Sequence, residues 1–149
     1  MSIKTEGVSP LRQKLRACHR LALDCRLRAL QLEQLGTERR SCIPRHIRKR
    51  EKRCRCTQEQ LRRDLNRLRE LIPETERLLG GLPPKERVLM RAYYVEGLLW
   101  REVEPVVGYR KSHVDRIHRR AMGRLEHRQE EKQAQKTAAE QINSAAVES

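Results

Sequence analysis

Apolar residues near the start of the chain recur with the spacing of an amphipathic helix. They alternate at steps of four and three, as in the seam of a coiled coil: Leu11, Leu15, Cys18, Ala22, Cys25, Ala29 and Leu32. Ser9 is a favourable N-cap, Pro10 suits the first helical position, and Gly36 suits the stop. The pattern therefore predicts a first helix over residues 10–35.

A second apolar seam follows a basic connector. Its members are Leu61, Leu65, Leu68, Ile72, Thr75 and Leu79. Thr57 and Gln60 have the spacing of a capping box, and Gly80 and Gly81 end the pattern. Pro73 lies inside this predicted helix and should kink it or split off its last turn. The two helices form either an antiparallel hairpin or a dimerisation element, because both arrangements would bury the same leucines.

After residue 81, short apolar patterns separated by turn signals replace the long seams. A Pro-Pro pair opens a first short helix, and Gly97 ends it. A second helix is predicted over residues 100–107, and Gly108 provides the tight turn that follows. The order of these signals predicts short helices that pack against each other across turns.

The third helix of this segment begins near Arg110 or Lys111 and has one apolar face, formed by Val114, Ile117, Ala121, Met122 and Leu125. Many of its other positions are basic. A short helix, a glycine-containing turn and a basic amphipathic helix together have the layout of a helix-turn-helix. Trp100 and His118 are expected to pack within this unit rather than to contact a ligand.

These patterns predict an all-α protein with three parts. An N-terminal antiparallel helical hairpin, coiled-coil-like, occupies residues 1–80, and a three-helix helix-turn-helix domain occupies residues 81–126. The remaining residues, 127–149, are nearly neutral and rich in Ala, Gln, Glu and Ser. We expect them to form a frayed helix end that passes into a disordered tail.

Charge changes this picture most in the connector of the hairpin, residues 37–56. The chain has a formal charge of +14, from 34 basic and 20 acidic residues. The connector has nine basic and two acidic residues, so half of the net charge lies in it. Such a block is either a solvated, mobile loop or a surface that contacts phosphates through Arg48, Lys49 and Arg50. It contains no aromatic residue on which single-stranded bases would stack.

Three of the five cysteines lie in the connector and give it a further interpretation. Cys42, His46, Cys54 and Cys56 are candidate ligands of a zinc site, but their spacing departs from the usual zinc patterns and nine cations surround them. The preferred interpretation is a protein without metal or other cofactor. Its odd number of cysteines then fits a reducing cytoplasm, where they serve as small apolar or surface residues.

Composition argues against several classes of protein. Phe is absent and aromatic residues make up 3% of the chain, so a large aromatic core is not expected. No apolar run approaches the roughly 20 residues of a membrane span, and we see no hydrophobic signal segment. No catalytic constellation or GxxxxGK[ST] loop is present, so we do not expect an enzyme. A pI near 10.4 indicates a polyanionic partner, for which nucleic acid is the default.

Several stretches of the segment 82–126 match a known pattern. They are Leu82-Pro83-Pro84-Lys85-Glu86-Arg87, Tyr94-Val95-Glu96-Gly97-Leu98, Trp100, Gly108, Val114 and Arg116-Ile117-His118-Arg119-Arg120-Ala121. In this order they resemble region 4 of bacterial sigma factors, which reads the −35 promoter element and contacts the flap of RNA polymerase. The whole chain, a leucine-rich helical pair followed by this module, is similar to small transcriptional regulators of phages and prophages.

The resemblance implies a set of DNA contacts centred on the third helix of the module. Its early, solvent-facing residues would contact base edges: Lys111, Ser112, Asp115 and Arg116. Lys111 and Arg116 suit the O6 and N7 acceptors of guanine, and Asp115 suits the amino group of cytosine. Phosphate contacts would come from Arg101, Arg110, His113, Arg119 and Arg120.

The sequence departs from the family pattern mainly in and around the second helix of the module. Glu104 stands where the family prefers a small residue, and Pro105 removes a hydrogen bond from a helix of barely two turns, at a cost of about 3 kcal/mol. Leu99 and Arg110 stand where a Ser or Thr cap is usual. Gly123 weakens the third helix by roughly 1 kcal/mol. These departures bear on the angle between the helices rather than on the pattern itself.

The residues and the resemblance together predict a sequence-specific DNA-binding regulator that activates late genes of a phage or prophage. It would act on double-stranded DNA with bacterial RNA polymerase, at the nucleoid in the host cytoplasm. The low aromatic content argues against a complete sigma factor, which needs a second domain to melt DNA. A homodimer through the N-terminal helices would require a symmetric or repeated site. Two alternatives remain: an adaptor that binds RNA polymerase with little base readout, and an accessory protein of DNA packaging or replication.

Overall fold

The structure is a computed structural model that describes residues 9–38 and 46–147. These residues form five helices and no strand, which confirms the predicted all-α class for this part of the chain. In chain order the helices are α1 (Pro10–Glu38), α2 (Ile47–Leu79), α3 (Pro84–Tyr94), α4 (Trp100–Val107) and α5 (Lys111–Val147). None of them combines the length and the apolar character that crossing a membrane requires.

Helix α1 begins where its cap residue predicts. The hydroxyl of Ser9 accepts a hydrogen bond from the backbone N–H of Arg12 at 3.3 Å, and the Ser9 carbonyl accepts one from Gln13 at 3.1 Å. The predicted stop at Gly36 is wrong, because the helix continues to Glu38. A glycine costs only about 1 kcal/mol inside a helix, and no neighbouring atom constrains this one, so nothing forces a turn there.

Helix α2 begins at Ile47 rather than at Thr57, so the predicted start is wrong. Ile47, Arg50, Cys54 and Thr57 are half-buried at steps of three and four. The seam of α2 therefore runs back through the basic segment, and most of the cations between the seam positions are left exposed. The second half of the predicted connector is helical, whereas most of its first half lies outside the described residues.

Pro73 does not split off the last turn of α2, which is continuous to Leu79. The proline is exposed, so the hydrogen bond that it removes lies on the solvent side of the helix. On the opposite side, Thr75 and Leu79 are buried, and the Thr75 hydroxyl donates a hydrogen bond to the carbonyl of Leu71 at 2.9 Å. Packing of the buried side holds the last turn in line with the rest.

Helix α5 continues to Val147, which differs from the frayed end and disordered tail predicted after residue 126. The residues beyond that point are mostly Ala, Gln, Glu and Lys, which are strong helix formers, and neither Gly nor Pro interrupts them. From residue 134 to residue 147 every side chain is exposed. This end of α5 therefore depends on local helix propensity rather than on tertiary packing.

Helices α1 and α2 run in opposite directions, because residues later in α1 meet residues earlier in α2. Lys14 binds Glu74 at 2.7 Å, whereas Arg28 binds the buried Asp64. Between these ion pairs lies a small apolar cluster that contains Cys18, Ala22, Cys25 and Leu68. Burial raises the pKa of both thiols in this cluster. The prediction that cysteines serve as small apolar residues is confirmed for these two.

The main hydrophobic core combines residues from all five helices. Leu11 and Leu15 of α1 and Leu79 at the end of α2 pack together with buried residues of α3, α4 and α5. The remaining members include Leu89, Met90, Val103, Val114, Ile117, Ala121, Met122 and Leu125. The sequence pattern leaves open whether the N-terminal helices fold back on the rest of their own chain. The structure shows that α1 does.

Polar contacts fix α1 along this core. Arg12 binds Glu126 of α5. The ring of His19 stacks on Tyr93 at 3.9 Å between centroids, and its Nδ1 lies 2.6 Å from the Tyr93 carbonyl oxygen. Arg26 binds Glu102 of α4 at 2.6 Å. These contacts follow one another along α1, so the helix crosses α5, α3 and α4 in turn.

The turn between α3 and α4 touches the backbone of α1. Gly97 has a positive φ of 71° in this turn. A Cβ added to it would lie 2.6 Å from the carbonyl carbon of Ala22 and 2.7 Å from the nitrogen of Leu23. The Gly97 carbonyl also accepts a hydrogen bond from Arg26 at 2.8 Å. Only glycine permits both this backbone conformation and this close approach.

Candidate nucleic-acid interface

The α4–α5 unit is built from local backbone signals. Leu99 is extended before α4, and its N–H donates to Oε1 of Glu102 at 3.2 Å, which is the half of a capping box that does not depend on a Ser or Thr side chain. Gly108 has a φ of 76° and ends α4, with its N–H bound to the carbonyl of Glu104 at 2.9 Å. Helix α4 spans its eight residues despite Pro105. The predicted bounds of this helix and its glycine turn are confirmed.

Helix α5 buries the apolar face that the sequence predicts, formed by Val114, Ile117, Ala121, Met122 and Leu125. The opposite face is exposed and basic. Ser112, Arg116 and Arg119, at steps of four and three, share one side of it. Lys111 and Asp115 are exposed beside them. All four residues predicted to contact bases therefore lie in solvent in the first turns of α5.

The cations predicted to contact phosphate divide into two groups. Arg101, Arg110, His113, Arg119 and Arg120 are all exposed on α4, in the turn or in early α5. Arg110, His113, Arg119 and Arg120 adjoin the four predicted base-contacting residues along the chain, and Arg101 lies on α4. Arg48 and Lys49 are exposed and Arg50 is half-buried in the first turns of α2. Since a helix rises about 1.5 Å per residue, Arg48 lies roughly 45 Å from the core residue Leu79. The structure does not bring this second group to α5.

A cleft of about 490 Å³ lies between the start of α3 and α5. It adds two cations, Lys85 and Arg124, to the predicted phosphate-contacting residues. Lys85 from α3 and His113, Arg120 and Arg124 from α5 line it. Glu86, also in its wall, is buried, and its Oε2 lies 3.3 Å from Nε of Arg124 without a hydrogen bond from any described residue. Only the packing of α3 on α5 reveals that Lys85 and Arg124 belong to this surface.

The candidate zinc ligands do not form a site in the described residues. Cys42 lies outside these residues, and His46, Cys54 and Cys56 lie at the start of α2. Residues two apart on a helix point to nearly opposite sides, so Cys54 and Cys56 do not face the same ion. In the part of the chain that the structure describes, no three His, Cys, Asp or Glu side chains are grouped to hold a metal.

Aromatic rings lock the α4–α5 unit to the rest of the core. Trp100 stacks on Tyr93 at 3.8 Å and meets His118 edge-on at 4.8 Å. The Tyr94 hydroxyl and Nε2 of His118 are 2.8 Å apart, and burial raises the pKa of Tyr94 to about 12. Burial also lowers the pKa of His118, and nearby Arg12 lowers it further. The packed roles predicted for Trp100 and His118 are confirmed.

We expect stability to fall as the pH drops below about 6.5, because protonating His118 is harder in the folded protein than in the unfolded chain. Above that pH the histidine is neutral in both states and imposes no penalty; below it the unfolded chain gains the proton first. Melting temperatures between pH 8 and pH 5 measure the effect, and His118→Gln should flatten the curve. His113→Gln, which alters an exposed ring, should leave it unchanged; equal curves for the two variants would contradict the assignment.

The structure thus places a short helix, a glycine turn and a basic exposed helix face on one continuous core. In comparisons with known proteins, the chain matches no family model, no curated protein and no solved structure.

Proposed function

We propose that the chain is a sequence-specific DNA-binding regulator of transcription. In this proposal α4, the Gly108 turn and the start of α5 form a sigma-region-4-like helix-turn-helix, and α1 and α2 form an antiparallel hairpin that packs against it. The observation that carries the proposal is the exposed face of α5. It presents a hydroxyl, a carboxylate and several cations directly after a tight turn, while its other face is buried in the core.

The chemistry of this face supports reading of a major groove. Between residues 111 and 120, α5 has four basic residues and one acid, a net charge of +3. Arg116 lies at the middle of the exposed face, where a guanidinium can reach O6 and N7 of one guanine in bidentate fashion. Arg110, Arg119 and Arg120 flank it and suit the phosphates on either side. Asp115 would repel phosphate, so its presence favours base readout over simple attraction to the backbone.

The proposed partners are double-stranded DNA and, through the same module, bacterial RNA polymerase. A homodimer through the N-terminal helices would use surface that α1 and α2 leave free: Leu27 and Leu30 of α1 and Leu65 of α2 are exposed leucines. Most residues of the two seams are already packed within the chain. A dimer would therefore add contacts to the hairpin rather than replace them.

Selection of binding sites from random duplex DNA at about 150 mM salt tests the proposed function, because binding to phosphates alone weakens steeply with salt. We expect a consensus of a few fixed base pairs, with two half-sites if the protein dimerises. Binding to all duplexes alike, with no enriched sequence, would contradict sequence-specific readout. It would favour an adaptor that depends on the polymerase for its position.

On the selected site, Arg116→Ala should relax the preference at one base position by about 1–3 kcal/mol, or roughly 5- to 150-fold. The reason is that one base no longer has its bidentate partner. Arg120→Ala is the matched control, since it removes the same charge from the same exposed side of α5 and should weaken all sequences alike. Binding assays on single-base variants of the site measure both. Uniform weakening by Arg116→Ala would rule out its role in base readout.

A further inference from the structure

Helix α2 exposes a row of arginines along the side that faces away from α1. We call this row the arginine stripe; its members are Arg48, Arg55, Arg62 and Arg69. Each is seven residues from the next, which on an α-helix keeps side chains on one side with a drift of only about 20° per step. Arg48 and Arg55 belong to the row only because α2 begins at Ile47, since a loop over the basic segment would not align them with Arg62 and Arg69.

The stripe has no structural task inside the described part of the chain. All four guanidinium groups are exposed, and none has an ion pair or hydrogen bond with another described residue. The opposite side of α2 already packs on α1, through residues such as Asp64 and Leu68. The stripe is therefore free to contact a partner without any change in the hairpin.

The charge around the stripe is unfavourable for the isolated protein. From Arg48 to Arg69 there are ten basic and three acidic residues, a net charge of +7 on 22 residues. Arg48, Lys49 and Arg50 lie in the first turn of α2, at the positive end of the helix dipole, and that turn contains no acid. Like charges at helical spacing repel each other. A polyanion laid along the stripe would remove both penalties.

We infer that the arginine stripe is a second, sequence-independent contact surface for the phosphates of duplex DNA, separate from the exposed face of α5. The choice of duplex DNA as the polyanion rests on the proposed function. The stripe spans 21 residue steps, about 32 Å, close to one turn of B-DNA. Arginine forms paired hydrogen bonds with phosphate oxygens. Helix α2 has no aromatic side chain on which unpaired bases would stack, which disfavours a single-stranded partner.

The test uses the full chain and a random-sequence duplex of roughly 30 base pairs, about three turns. The stripe variant combines Arg55→Gln, Arg62→Gln and Arg69→Gln. The control variant combines Arg20→Gln, Lys132→Gln and Lys136→Gln, which removes the same charge from exposed positions elsewhere. Glutamine is a good helix former, so both variants should keep the helix content of the parent, as circular dichroism can verify.

The stripe variant should reduce the slope of log affinity against log salt by about 2.7, that is, by about 0.9 for each phosphate that an arginine no longer neutralises. The drop in the parent's affinity between 50 and 200 mM salt should then be about 40-fold smaller in the variant. The control should keep the slope of the parent. An unchanged slope in the stripe variant, or an equal reduction in the control, would overturn the inference. The inference would also be overturned if the stripe variant bound the duplex as the parent does and lost binding only to an acidic protein.

These outcomes separate the inference from the proposed function. If site selection yields no consensus but the stripe variant still lowers the salt slope, base readout fails and the stripe remains a duplex-binding surface. If Arg116→Ala relaxes a base preference while the stripe variant keeps the slope of the parent, the proposed function holds and the inference fails.

Discussion

Replacing Gly97 by alanine should destabilise the protein by about 2–5 kcal/mol, the largest effect that we expect from adding one methyl group. A positive φ costs an L-residue roughly 1–2 kcal/mol. The new Cβ would also lie 2.6–2.8 Å from backbone and Cβ atoms of Ala22 and from the nitrogen of Leu23. Backbone cannot rotate away as a flexible side chain can, so α1 or the turn must shift, at a cost of about 1–3 kcal/mol.

Gly108→Ala is the matched control, because Gly108 has nearly the same φ but no atom within 4 Å of an added Cβ. It should cost only the backbone strain, about 1–2 kcal/mol. Chemical denaturation of both variants measures the two free energies of unfolding. Equal losses of stability would mean that α1 does not press against the α3–α4 turn, and the close approach of the two segments would then be incorrect.

Leu15→Ala should lower the free energy of unfolding by about 2–5 kcal/mol, as expected when a buried leucine leaves a cavity. Leu15 is 1% exposed and contributes to the core that α3, α4 and α5 also build. Leu27, on the same helix but 55% exposed, provides the comparison, and its replacement by alanine should change stability by at most about 0.5 kcal/mol. Urea denaturation followed by circular dichroism measures both.

A destabilisation below about 1 kcal/mol for Leu15→Ala would contradict the shared core. It would mean that α1 rests loosely on the other helices and that residues 82–126 fold without it. In a single core, by contrast, the whole transition moves to lower urea, because α1 and α5 unfold together. A separate early transition of α1 would be visible as a second step in the curve.

The elements that sequence predicts well are those encoded within a few residues. Ser9 caps α1, Gly108 ends α4, and a period of three to four residues marks the buried face of α5. Each signal acts through its own backbone or its own helix turn, so it needs no knowledge of the rest of the chain. The same period also places the candidate base-contacting residues on the exposed side of α5.

The features that sequence does not predict depend on contacts between distant residues. The start of α2 is not predicted from the apolar pattern, because the seam there includes Arg50, a cation, as well as Cys54. The position of α1 follows from pairs such as His19 with Tyr93, 74 residues apart. Lys85 joins the candidate interface for the same reason. No periodicity within one helix contains this information.

The contact of Gly97 with α1 restricts which helices from other proteins could replace those of this protein. Helices equivalent to α3, α4 and α5 from another protein could be fused genetically to α1 and α2, but they would pack against α1 only if the turn between the first two also lacked a Cβ at that position. They would further need a hollow for Leu11 and Leu15. The proposed DNA specificity would therefore be altered more safely by changing exposed side chains of α5 than by exchanging these helices. Substitutions on the exposed face do not disturb the buried contacts that hold the helices together.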